Sequence, residues 1–378
     1  MKVIYMVEHT LLTSLPDYVQ EAFGRAGFTE WTKIQEEAIP KALTGENLIM
    51  EAPTGSGKTL AYLLPALNKV DPAKKQAQVL IVVSSRELAM QQLEDAQEWT
   101  QGSGITVASM IGGANVKRQQ EKLKKKPHII IGTPGRLIEL LQSKKLKLHE
   151  VSTLIFDEAD QLFAKEHIKE VDALMKAVVR DCQRIVCSAT IPPHVEELVV
   201  ERMEAEIVRV SRSEEEKQNV EHVYLIAERR DKSKLLAKLI HLEGFYGLGF
   251  CNDIHELEKF AERLEFRGNS IGVLHGTTSK LERELAMRGF REGAVPMLMA
   301  TDVASRGLDI DDVTHVVQLD LANDIHQYVH RSGRTGRAGK SGTVVSIVTD
   351  GERERLLKFG EKLGIDIVQK SLSRGKLV

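Results

Sequence analysis

Short runs of aliphatic and β-branched residues alternate with helical stretches along the whole chain, and nothing else in the sequence confines the fold as tightly. Strand and helix in repeated order signal α/β architecture, a mostly parallel sheet with helices on both faces. Two such series are present. The first predicts strands over Leu48–Glu51, Val79–Val83, Thr106–Ile111, Ile129–Gly132, Thr153–Phe156, Arg184–Ser188 and Ile207–Val210. The second predicts Val223–Ala227, Leu248–Cys251, Ile271–Leu274, Met297–Ala300, His315–Leu319 and Thr343–Val348, with no strand after it and little room for an appended domain. Each series fits an open twisted sheet. The polar segment 211–219 lacks apolar periodicity and reads as a flexible linker between domains at 1–210 and 220–378. As a coil it would span about 15–18 Å.

Composition closes off other classes. A length of 378 residues suits two or three domains, and 42% hydrophobic with 28% charged residues is an ordinary globular balance. Collagen-like, low-complexity and disordered chains are excluded. The longest apolar runs, such as Val79–Val83, fall far short of the ~20 residues of a membrane span. The apolar stretch within Met1–Glu8 is too short for a signal peptide. Cys182, Cys187 and Cys251 form neither a metal-ligand spacing nor an even disulfide set, and the histidines form no zinc set, so a reducing cytoplasm is expected. The net charge is −2 and neither half is basic, so any polyanion site must be a local patch. The Lys122–Lys126 run suits an RNA-binding patch, but a charged helix end before the strand at Ile129 is the better reading.

Ala52-Pro53-Thr54-Gly55-Ser56-Gly57-Lys58-Thr59 follows an apolar strand and opens a helix. This is a phosphate-binding loop with Ala in the first glycine position. Its glycines let backbone N–H groups approach phosphate, Lys58 reaches the β- and γ-phosphates, and Thr59 holds Mg²⁺. Asn68-Lys69-Val70-Asp71 matches a guanine-reading pattern, but it stands at the end of the loop's own helix and reads as a helix terminus.

The predicted strand ending at Phe156 runs into Asp157-Glu158-Ala159-Asp160. A carboxylate at a strand tip beside a phosphate loop can hold Mg²⁺, here Asp157 through water. Glu158 can orient and deprotonate an attacking water. Following a phosphate loop, this tetrad resembles the DEAD-box RNA helicases. The resemblance extends over nearly the whole chain and implies two tandem RecA-like P-loop NTPase domains that use ATP and Mg²⁺.

Gly27 to Gln35 is similar to that family's adenine-recognising motif, which assigns nucleotide contacts to Phe28, Thr32 and Gln35. Two positions depart from it. Trp31 stands in place of Pro, and Thr10 in place of an isolated aromatic, so adenine packing is expected to be weaker or differently built. Ser84-Ser85-Arg86 departs from a Pro-Thr opening, but Arg86, Gly112-Gly113 and Thr133-Pro134-Gly135-Arg136 fall on positions that line the RNA groove in the family. Ser188-Ala189-Thr190 resembles the coupling motif, with Asp160 the expected hydroxyl partner. In the second half the resemblance assigns RNA contacts to Asn252, Gly276, Arg283 and Thr301, and the ribose to Asp309. Lys280 replaces a frequent Gln. His330-Arg331-Ser332-Gly333-Arg334-Thr335-Gly336-Arg337 interleaves arginines with glycines, a pattern that presents guanidinium forks to phosphate. By resemblance Arg334 and Arg337 are arginine fingers, His330 and Arg331 couple to the tetrad, and Ser332 replaces Ile with little consequence.

These readings predict an ATP-dependent RNA helicase or RNA chaperone. It would be a cytoplasmic monomer that separates short duplexes by ATP-driven closure of two domains, in ribosome assembly or cold-stress remodelling. Ribosomal particles are candidate partners and a membrane is not. The alternatives are an ATP-gated RNA clamp with poor turnover and a DNA-directed translocase.

Overall fold

The structure, a computed structural model, describes residues 11–211, 219–305, 310, 313–336, 340–373 and 375–378. The chain divides into two compact units, the first ending at Ser211. In the first, seven strands form one sheet in the order β3-β4-β2-β5-β6-β1-β7. They are β1 (Leu48–Glu51), β2 (Val79–Val83), β3 (Val107–Met110), β4 (Ile129–Gly132), β5 (Thr153–Asp157), β6 (Gln183–Ser188) and β7 (Glu206–Arg209). Every pairing is parallel. Residues alternate between two cores, as the strand period requires. Leu48 and Met50 enter one core and Ile49 the other; Val79, Ile81 and Val83 enter the first, Leu80 and Val82 the second. Both faces are covered, which is why these strands read as unbroken apolar runs.

The second unit repeats the plan with the order β10-β11-β9-β12-β13-β8-β14. Its strands are β8 (Val220–Ile226), β9 (Gly247–Cys251), β10 (Gly272–Leu274), β11 (Met297–Thr301), β12 (His315–Gln318), β13 (Gly342–Val348) and β14 (Ile367–Gln369). The apolar pattern predicts no strand after Val348, and here the structure differs. After the helix Asp350–Leu363, β14 joins the sheet edge and a small antiparallel hairpin follows, β15 (Leu372–Ser373) with β16 (Lys376–Leu377). These pieces bury little. Only Ile367 of β14 is buried, so no apolar run announced it. Likewise β8 begins before its predicted start because Glu221 interrupts the apolar pattern.

Register places the motifs. Glu51 lies opposite Ser188, Asp157 opposite Cys187, and Val83 opposite Asp157. The carboxyl ends of β1, β2, β5 and β6 therefore lie side by side, the edge where open α/β sheets bind ligands.

Candidate functional site

In the first unit the phosphate loop leaves β1 and enters the helix Lys58–Asn68. That helix ends at Asn68, so the guanine-like tetrapeptide is a helix terminus. Gly57 holds φ +90°, and a Cβ there would collide with the Gln35 amide, so the position accepts only glycine. Lys58 Nζ donates to the carbonyls of Ala52 and Pro53 at 2.6 and 2.8 Å. Ser56 Oγ is buried without a hydrogen-bond partner, an orphan that a phosphate oxygen would satisfy.

The helix Lys33–Thr44 brings Gln35 onto this loop. Its Oε1 accepts from the Thr32 N–H at 3.0 Å, and its Nε2 donates to the Gly57 carbonyl at 3.1 Å. The glutamine is thus a brace between the adenine-type motif and the phosphate loop, buried rather than lying on the helix surface. Phe28 is 46% exposed and stacks on Trp99 with centroids 6.2 Å apart, while Trp31 packs on Phe23 at 4.5 Å. Trp31 and Phe23 are buried. An aromatic cluster therefore supports the open face of Phe28. Phe23 and Trp99 escaped the sequence reading because they come from two distant helices.

Asp157 ends β5 and is buried. Tyr62 Oη donates to its Oδ2 at 2.9 Å and Gln92 Nε2 at 3.3 Å. Gln92 Nε2 also lies 3.3 Å from Thr59 Oγ1, and its Oε1 lies 2.6 Å from Tyr62 Oη, whose single proton is shared between this amide oxygen and the Asp157 carboxylate. One buried amide and one phenol thus position the Thr59 hydroxyl and the Asp157 carboxylate together. Both are hard oxygen donors, as Mg²⁺ requires, and Mg²⁺ takes few protein ligands. No group of three or more His, Cys, Asp or Glu placed to hold a metal ion occurs among the described residues. Burial and then the Glu158 charge push the Asp157 carboxyl up to about 6, while Lys58 opposes them.

Glu158 adopts the left-handed conformation at φ +57°, uncommon for a residue with a side chain, and Ser84 Oγ donates to its carboxylate. Ser188 Oγ donates to Asp160 Oδ1 at 2.7 Å. Thr190 N–H lies 3.4 Å from the same hydroxyl, and its own Oγ1 is buried without a partner.

The expected RNA residues of this unit line the same rim. Arg86 follows β2, and its guanidinium packs against Gly112-Gly113 after β3; Gly113 has φ +74°, a conformation that favours glycine, and a Cβ there would displace the Arg86 guanidinium. Thr133, Pro134 and Gly135 open the helix Pro134–Gln142 after β4, with backbone N–H groups at its start. Arg136 is buried and pairs with Glu139 at 2.9 Å.

In the second unit Asn252 follows β9, Gly276 and Arg283 follow β10, and Thr301 ends β11. Arg331 is 1% exposed. Its guanidinium donates to both Asp302 oxygens at 2.8 and 2.6 Å, to the Asp320 carbonyl at 2.8 Å and to Asn252 Oδ1 at 2.5 Å. It also lies 5.2 Å from the Phe250 ring centroid. Arg331 is therefore a buried hub within its own unit, which makes any coupling through it indirect. The same network holds the Asn252 side chain, whose Nδ2 donates to the Leu321 carbonyl at 3.1 Å. Ser332 closes its hydroxyl onto the Tyr328 carbonyl at 2.7 Å, which explains why this buried position tolerates a polar residue. His330 and Arg334 are half-buried on and just after the helix Ile325–Ser332. Thr10, most of the linker, Asp309 and Arg337 lie outside the described residues, as does the side chain of Lys280.

Comparison with known proteins follows the same lines. Residues 32–198 match the DEAD/DEAH box helicase family, and residues 231–339 match the helicase conserved C-terminal domain. The chain is 46% identical over 369 residues to the DEAD-box ATP-dependent RNA helicase CshC of Bacillus cereus, spanning 97% of this chain and 95% of that protein. It is 46% identical over 367 residues to the probable ATP-dependent RNA helicase YfmL of Bacillus subtilis, spanning 97% of each. Among solved structures, S. cerevisiae Dbp5 bound to RNA and ADP BeF3 aligns with a TM-score of 0.85 at 27% identity, covering 94% of this chain and 93% of that one. The two sheets are tandem RecA-like units.

Proposed function

The chain belongs to the DEAD-box family of ATP-dependent RNA helicases, and on that footing we propose that it separates short RNA duplexes by ATP-driven closure of its two units. One observation carries the reading: Lys58, Thr59, Asp157 and Glu158 converge at the carboxyl edge of one sheet, beside the loops expected to hold RNA.

The adenine would lie against Phe28, with Gln35 offering its second amide hydrogen to the base edge while it keeps its Gly57 contact. The triphosphate would lie on the loop, taking Lys58 and the orphan hydroxyl of Ser56. Mg²⁺ bound by Thr59 and Asp157 would supply charge neutralisation at the phosphates. Glu158, fixed by Ser84, would orient a water in line with the γ-phosphorus. The water oxygen bonds to phosphorus, its proton passes to Glu158, and the bond to the bridging oxygen of ADP breaks. Arg334, and Arg337 with it, would stabilise the transferring phosphoryl group, a contribution of about 10³–10⁵ in rate for such fingers. Asp309 would hold the ribose. The site would be complete only when the units close, so ATP and RNA would each promote binding of the other. His330 would sense the tetrad, with Arg331 positioning it, and Asp160, Ser188 and Thr190 would answer from the first unit.

Arg86, Gly113, Thr133 to Arg136, Asn252, Gly276, Arg283 and Thr301 would contact backbone and 2′-hydroxyl groups with little sequence preference. A monomer in the cytoplasm, acting on structured RNA in ribosome assembly or in the cold, is the setting we expect. A deletion strain with normal growth and normal ribosomal particles at low temperature would contradict that setting. The clamp alternative needs weak adenine packing, and the aromatic support under Phe28 speaks against it.

Steady-state ATPase tests the proposal. RNA should stimulate turnover, single-stranded DNA should not, and Lys58→Ala should abolish it. Equal stimulation by DNA, or no turnover with RNA, would overturn it.

A further inference from the structure

At the opposite, amino-terminal edge of the first sheet lies a cleft of about 490 Å³ that the mechanism does not use. Its floor is apolar, with Ala77, Leu123, Leu146 and Ile130. Its rim carries Lys75, Lys124, Lys126, Lys145, Lys147 and His149, against the single acid Glu150. All six basic side chains are exposed. Among the described residues only Lys124 of these lysines is ion-paired, to Glu121 at 2.6 Å. The lysines come from three separate segments: the approach to β2, the end of the helix Val116–Lys124, and the loop after the helix Pro134–Gln142. Helix C-termini attract lysines on their own account, which covers Lys124 and Lys126. It does not cover Lys75, Lys147 or His149, which lie at no helix end. Lys126 at φ +55° and Lys144 at φ +58° hold left-handed positions just past two helix ends, where glycine is the usual residue.

Those two helices join the cleft to the RNA loops. One begins just after Gly112-Gly113 and the other at Thr133-Pro134-Gly135-Arg136; both end at the cleft. At 1.5 Å per residue, a nine-residue helix is about 13 Å long, the length of roughly four base pairs of duplex. Arg118, Lys122 and Lys125 fall at i, i+4 and i+7, a basic row along the first helix, and the acid beside it, Glu121, is paired with Lys124 at 2.6 Å.

We propose that this cleft and stripe form an accessory RNA-backbone site that holds the strand or duplex extending beyond the motif groove. The proposal rests on the RNA-binding function above. The basic row between groove and cleft favours a polyanion that continues from the groove over an acidic protein segment seated in the cleft alone.

The test is equilibrium binding of labelled RNA to the full chain with a non-hydrolysable ATP analogue. One RNA just fills the motif groove; the other carries about eight further nucleotides at either end. The unmodified chain should bind the longer RNA about tenfold more tightly, with a salt slope steeper by about two. Lys145→Glu with Lys147→Glu should erase that gain and leave the short RNA unaffected. A matched control, Lys238→Glu with Arg263→Glu on outer helices of the second unit, should keep the gain. A gain that survives in the cleft variant would overturn the proposal and leave the cleft to an acidic protein segment. An equal loss for both RNAs, or the same loss in the control, would overturn it as a general charge effect. Failure of the short RNA to bind would instead overturn the RNA reading itself, and this site with it.

Discussion

Asp157 sits where its own charge is least welcome. Burial and Glu158 raise its carboxyl to about 6, above the ordinary 3.8 of an unfolded chain. The folded state therefore favours the neutral form. That contribution is full below about pH 4 and is lost as pH rises through about 6. Asp157→Asn fixes the side chain neutral. In metal-free, nucleotide-free protein it should gain nothing at about pH 4 and be more stable than the parent by about 1–3 kcal/mol at about pH 8. Thermal melts at the two pH values check this, and equal melting points at both would contradict it. The same variant should lose ATPase, a functional charge retained at a cost in stability. Tyr62 and Gln92 hold that carboxylate without touching substrate. Tyr62→Phe should lower kcat/KM about 10–100-fold, as expected when a partner that orients a metal ligand is removed. An unchanged kcat/KM would remove Tyr62 from the site. Asp157 and Glu158 were legible in the sequence because they adjoin each other at a strand tip. Tyr62 and Gln92 were not, since each lies on a helix face that reads as core until register brings it under β5.

At the scale of elements, the short parallel strands decide which residues meet. Their unbroken apolar runs made nearly all of them visible, to within a few residues at each end. The short edge strand β14 and the hairpin β15–β16 bury too little to leave a pattern. Gly57 shows why one loop fits one helix: its positive φ and the pressing Gln35 amide leave no room for a Cβ. Gly57→Ala should cost about 1–3 kcal/mol in backbone strain and weaken ATP binding by tenfold or more. Nucleotide titration reads this directly, and wild-type affinity would refute the role given to Gln35 as a brace. Arg331 makes the matching point in the second unit. Spacing and resemblance marked it as functional, but it anchors Asp302, Asn252 and the end of β12 from a fully buried position. Truncating one member of such a pair leaves an uncompensated charge. Arg331→Ala should therefore destabilise the second unit by about 3–5 kcal/mol in urea unfolding, and a loss below about 1 kcal/mol would contradict the hub. Lysine cannot replace its fork, so Arg331→Lys should recover only part of the loss.

Across the whole molecule, the proposed closure would link ligand binding in two compact units. Moving a closing equilibrium from 1:99 to 99:1 takes about 5.5 kcal/mol of differential binding, within reach of a nucleotide and several phosphate contacts. Duplex stacking runs at about 1.4 kcal/mol per step in DNA, so one closure can disrupt only a few pairs. Unwinding should therefore fall steeply with duplex length, and efficient separation of long duplexes would contradict local strand separation. The near-neutral overall charge concealed any RNA surface from composition. Only the fold gathers scattered lysines, glycines and helix starts onto particular edges. The most direct measurement of the central claim is reciprocal binding. The Kd of a non-hydrolysable ATP analogue is measured with and without single-stranded RNA, and the Kd of RNA with and without the analogue. Closure predicts that each tightens the other by the same factor, about 5–150-fold. Two affinities that ignore each other would contradict it, however well the separate sites bind.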